Sequence, residues 1–133
     1  MMKNKLIMLL ALGLSVLYAC QTERKTTVEF CLELDENGHC KESANRFPFG
    51  SKIYVSCTSN QAFEGQTMKG NIYFLKDGNK TFFNFKHFDL HPGDRVVHSY
   101  IPFDEFGGKG GFYVEFVNEK EEVLGSNSLE ILK

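Results

Sequence analysis

From residue 27 onward, apolar and polar side chains alternate in short runs. Val28, Phe30, Leu32 and Leu34 share one face of a strand over residues 27–34, with Glu29, Cys31 and Glu33 on the other. A second strand, residues 51–58, holds Ile53, Val55 and Cys57 in phase. In a third, residues 68–76, Gly70, Ile72 and Phe74 oppose Tyr73 and Leu75. The fourth begins at Lys80; Phe83 and Phe85 share a phase that Phe88 and Leu90 reverse, which predicts a bulge near Lys86-His87. Residues 95–101 form a fifth strand, Phe112, Val114 and Phe116 point inward from a sixth, and residues 123–132 make a seventh. Turn signals separate the runs, among them Asp35-Glu36-Asn37-Gly38, Asp77-Gly78-Asn79 and His91-Pro92-Gly93-Asp94, while residues 60–66 read as loop. No segment keeps a helical period over ten residues. About seven short antiparallel strands predict an all-β, two-sheet sandwich.

The first twenty residues follow a different rule. Lys3 and Lys5 precede an apolar run over residues 6–17, too short to span a bilayer comfortably. It ends in Leu17-Tyr18-Ala19-Cys20, which resembles a bacterial lipobox, with Leu17 at minus three, Ala19 at minus one and Cys20 as the lipidated residue. The resemblance implies a lipoprotein signal peptide at residues 1–19, a lipidated tether at 20–26 and the β-sandwich at 27–133. It also implies a cell-envelope location, with the protein anchored to a bacterial membrane by acyl chains on Cys20. Gln21 is not the aspartate that resembles an inner-membrane retention signal, so the outer membrane is favoured. Near the other end, Gly111-Phe-Tyr-Val-Glu-Phe-Val-Asn118, followed by Val123-Leu-Gly-Ser and Leu129-Glu-Ile-Leu, is similar to the last hairpin of bacterial immunoglobulin-like domains. The tryptophan and cross-sheet disulfide of antibody domains are absent, so the likeness implies an architecture and no activity.

Composition narrows the function classes. Lys3 and Lys5 leave with the leader, so the remaining chain has 13 basic against 17 acidic side chains and a net charge of −4. Without a basic run it has no electrostatic footprint for nucleic acid and no polybasic grip on anionic lipid. Membrane attachment would rest on the acyl groups. The aromatic content is phenylalanine-rich, 13 Phe and 5 Tyr with no Trp, which suits strands.

Candidate chemistry is sparse. Beyond Cys20 there are Cys31, Cys40 and Cys57. Cys57 shares the buried phase and Cys31 the outer one, so Cys31–Cys40 is the favoured disulfide, a pairing with Cys57 is the alternative, and Cys57 is expected to be an inert thiol. His87, Asp89 and His91 fall on one side of an extended chain and could ligate zinc or copper, with Asp94 and His98 as the available further ligands. A solvated strand edge is the simpler reading. Cys31, His39 and Cys40 could also take a metal, but a disulfide explains the cysteines more simply. The glycine loop 107–111 lacks the Gly-Lys-Ser/Thr ending of a phosphate-binding loop. No nucleophile elbow, zinc-protease motif or catalytic carboxylate pair is present, so no enzyme and no cofactor is expected. Tyr73 and Leu75 on the third strand and Tyr113 and Val117 on the sixth sit opposite the core phase and would gather into a binding patch. The chain therefore reads as a membrane-anchored, non-enzymatic binding module for an envelope protein or glycan. The alternatives are a metal-handling module built on His87, Asp89 and His91, and a purely structural lipoprotein.

Overall fold

The structure, a computed structural model, describes residues 23–102 and 109–132. The leader and the lipobox lie outside the described residues, as do residues 107 and 108 of the glycine loop. The described residues form eight strands and no helix: β1 (Thr26–Cys31), β2 (Arg46–Pro48), β3 (Ile53–Ser59), β4 (Thr67–Lys76), β5 (Asn79–Asp89), β6 (Val96–Ile101), β7 (Gly110–Val117) and β8 (Val123–Leu132). One sheet has the order β1-β3-β6 and the other β2-β8-β7-β4-β5. These orders match the A-B-E and G-F-C-C′ arrangements of immunoglobulin-like sandwiches. Cys57 on β3 occupies the strand that carries one antibody-type cysteine, but β7 faces it with Phe112, Val114 and Phe116, and Cys57 is a free thiol.

Alternation does the work that the pattern predicts. Val28, Phe30, Ile53, Val55 and Cys57 from the smaller sheet meet Met68, Ile72, Phe112, Val114 and Phe116 from the larger in one buried cluster. Among the described residues, every member of that cluster lies between Val28 and Ile131. Burial of Cys57 pushes its thiol up to about 12. Along one side the two sheets are stitched together, Asn127 Nδ2 donating to the Val28 carbonyl at 2.8 Å.

The Cys31–Cys40 disulfide forms, with Cα atoms 5.6 Å apart. Cys31 points to the outer side of its sheet, as its phase predicts, yet it is fully buried. The disulfide loop folds back over that face, and Ser56 Oγ on β3 donates to the Gly38 carbonyl at 2.7 Å. Asp35 shapes the loop: its Oδ1 accepts from the Asn37 and His39 amides at 2.8 and 3.0 Å, and these bonds lower its carboxyl pKa.

Four expectations change. The first strand ends at Cys31 rather than at residue 34, and Leu32 is 56% exposed, because the chain must turn to bring Cys40 back. An eighth strand, β2, pairs parallel to β8, with Arg46 opposite Glu130, so the sandwich is not wholly antiparallel. The phase slip on β5 lies at Phe83, the extra residue between Phe82 (opposite Tyr73) and Asn84 (opposite Ile72), three residues before the expected place. Phe63, in the expected loop 60–66, is buried, its amide donating to the Asp94 carbonyl at 2.8 Å.

Candidate functional site

The outward face of the five-stranded sheet carries the strongest surface feature. β4 and β5 are joined through Asp77 and Gly78, both at positive φ (52° and 79°), the geometry of a two-residue type I′ turn. That turn sets Leu75 opposite Lys80 and Tyr73 opposite Phe82. β7 continues the row on the other side, with Tyr113 opposite Tyr73. Beyond the Phe83 bulge, Phe85 returns to the outward face opposite Asn71, followed by His87 opposite Lys69.

The side chains form one connected aromatic field. Tyr73 meets Tyr113 at 5.9 Å between ring centres and Phe82 at 5.8 Å. Phe82 stacks on Phe85 at 6.5 Å, and Phe85 takes His87 edge-on at 5.1 Å. Cations cover parts of the field: Lys80 Nζ lies 4.5 Å from the Tyr113 ring centre and 5.3 Å from that of Tyr73, and Lys69 Nζ lies 5.9 Å from Phe85. The Tyr73 hydroxyl donates to Glu115 Oε1 at 2.8 Å, and this bond, with some burial, pushes its pKa up to about 12. Tyr73 is thus held neutral as a donor. Phe82 and Phe85 remain 54% and 47% exposed with no polar atom to justify it.

Of the residues expected to make the patch, Tyr73 and Tyr113 are together and Leu75 lies in the adjoining row beside Gly111. Val117 is not part of it, being only 2% exposed. It sits where the β7–β8 register shifts, at the base of the turn over residues 118–122, in the row of Lys69, whose ammonium pairs with Glu121 at 3.1 Å. Phe82, Phe85 and Lys80 are the members that sequence reasoning missed. Counting register back from the Asp-Gly turn would have placed Phe82 against Tyr73.

His87, Asp89 and His91 do not converge on a ligand position. His87 is occupied by Phe85, and His91 Nδ1 lies 3.6 Å from Asp94 Oδ2 beyond the end of β5. Among the described residues no group of three or more His, Cys, Asp or Glu side chains is placed to hold a metal ion. His98 is on β6, in the other sheet, where its ring supports Gly38.

No family model matches the chain, and no curated protein matches it. The chain is similar to the CARDB domain of the PF1109 protein from Pyrococcus furiosus, a crystal structure in complex with di-metal ions, at 12% identity over 84% of this chain and 98% of that one, with a TM-score of 0.39. A likeness that distant carries no functional argument. The strand order itself makes this chain an all-β sandwich of immunoglobulin-like topology.

Proposed function

We propose that this protein is a bacterial envelope lipoprotein, held on a membrane through lipidated Cys20, whose sandwich domain is a non-enzymatic binding module. The observation that carries the reading is the continuous aromatic field of Tyr73, Tyr113, Phe82 and Phe85 on one outward sheet face. An apolar centre ringed by Lys69, Lys80, Glu115 and Glu121 suits a protein surface. The lipobox resemblance supports the anchor, and the net charge of −4 leaves the acyl chains as its source.

The test has two arms. Cys20→Ala should release the protein from the membrane fraction or leave its leader uncleaved; normal maturation and membrane retention would refute the anchor. Phe82→Ser with Phe85→Ser should leave the melting temperature within a few degrees of the parent. The pair should weaken capture of the envelope partner by roughly 1.5–3 kcal/mol, or ~10- to 150-fold, since each of the two half-exposed rings can lose about half of a ~1.5–3 kcal/mol transfer energy. Undiminished capture would refute the patch. Binding to purified envelope glycan in place of protein would redirect the reading to a glycan.

A further inference from the structure

The two long sides of the sandwich are not alike. Where β1 faces β8, the Asn127 side chain ties the sheets together. On the opposite side, β5 and β6 are the edge strands of their respective sheets and do not pair with each other. A cleft of about 230 Å³ opens there into the core. Its walls are mainly apolar and come from both sheets: Val55 from one, and Ile72, Phe88, Val114 and Phe116 from the other, with the polar Asn84 of β5 beside them. Gly70 permits this arrangement, because a Cβ there would lie 3.3 and 3.4 Å from the Phe116 and Phe88 rings.

The mouth differs from the walls. Lys86, on the inward phase of β5 opposite Gly70, reaches across the opening and donates to Ser99 Oγ. Ser99, buried on β6, donates in turn to the Tyr100 carbonyl at 3.0 Å. None of the ion pairs among the described residues involves Lys86. Among the described residues, the ammonium at the entrance of this apolar cleft thus has only a hydroxyl as its acceptor. The volume exceeds the ~150 Å³ that admits benzene to a dry apolar cavity.

We propose that this cleft binds a small single-chain carboxylate, its alkyl tail between the sheets and its anionic head on Lys86. Charge complementarity selects an anionic amphiphile over a neutral one. The bulge at Phe83 and the inward Lys86 argue against the other use of this side, addition of a partner strand to β5, since both devices discourage edge pairing.

The experiment uses the non-lipidated chain from Gln21 onward, which contains the buried cluster from Val28 to Ile131, with sodium octanoate, sodium hexanoate and 1-octanol below their aggregation limits. Methyl NMR shifts at Val55, Ile72 and Val114 should saturate with octanoate. Hexanoate should bind about 16-fold more weakly, at about fourfold per methylene. Octanol should bind at least ~10-fold more weakly than octanoate in the parent, and Lys86→Met should erase that difference while leaving octanol binding unchanged. Equal binding of octanoate and octanol by the parent would overturn the proposal, as would shifts that never saturate or shifts confined to other residues. The comparison within the parent needs no variant, so a Lys86→Met protein that fails to fold would not rescue the proposal.

Discussion

Reducing the Cys31–Cys40 bridge removes a constraint on the unfolded chain while leaving the loop's native contacts in place. The bridged residues are nine apart in sequence. Closing a loop of about ten residues contributes ~2.6 kcal/mol at 25 °C in the chain-entropy account. The folded loop keeps its other ties after reduction: Asp35 Oδ1 still accepts two amides, Ser56 still donates to Gly38, and the Ala44 amide still donates to the Phe30 carbonyl at 2.9 Å. The loss should therefore appear as global stability, not as local fraying. For a domain of this size, ~2.6 kcal/mol lowers the melting temperature by about 10 °C. Calorimetry with and without a phosphine reductant measures it directly, and mass spectrometry confirms the state of the bridge. The Cys31→Ala, Cys40→Ala double variant should resemble the reduced parent and be insensitive to reductant. A fully reduced parent that melts within 2–3 °C of the oxidised one would refute the reasoning.

Three further outcomes follow from single residues. Gly38→Ala should destabilise by ~1–2 kcal/mol or more in urea unfolding, because Gly38 has φ +82° and the new Cβ would run into the His98 ring. Glu119 Oε1 accepts the Gln66 and Thr67 amides at 2.7 and 3.0 Å, which lowers its pKa from the ordinary 4.5. The stability this gives is fully present above that value and is lost as pH falls through the lower folded-state pKa, so Glu119→Gln should lower stability at pH 7 and flatten the acid limb of a stability–pH profile, the variant and the parent converging at low pH. Cys57, its thiol pushed up to about 12, should resist iodoacetamide at pH 8 in the native protein and react at the rate of global unfolding in denaturant.

Much of the fold was legible because it depends on local period. Ile53, Val55 and Cys57 alternate without interruption and all are buried, and the Asp-Gly turn carries its own geometry into β4 and β5. The disulfide was legible because phase separated Cys57 from the other two cysteines. What escaped depends on distant partners or on breaks of period. β2 is three residues long, ends in Pro48, and exists through pairing with β8 some eighty residues later. In Phe82-Phe83-Asn84-Phe85, aromatics occupy both phases, so no alternation locates the bulge. Val117 obeys the outward phase and is buried nonetheless, since a register shift and a turn follow it directly. The aromatic site was half legible: Tyr73 and Tyr113 come from phase alone, whereas Phe82 and Phe85 need the hairpin register and the bulge together.

The central claim is that the aromatic sheet face meets a protein partner while Cys20 holds the chain on a membrane. Photo-crosslinking in living host cells tests it most directly, with the reactive side chain placed at Phe85 and, as the control, at exposed Tyr100 on the outer face of the other sheet. The account predicts one discrete protein adduct in the membrane fraction from position 85 and none from position 100. Adducts of equal yield from both faces, or none from position 85, would contradict it.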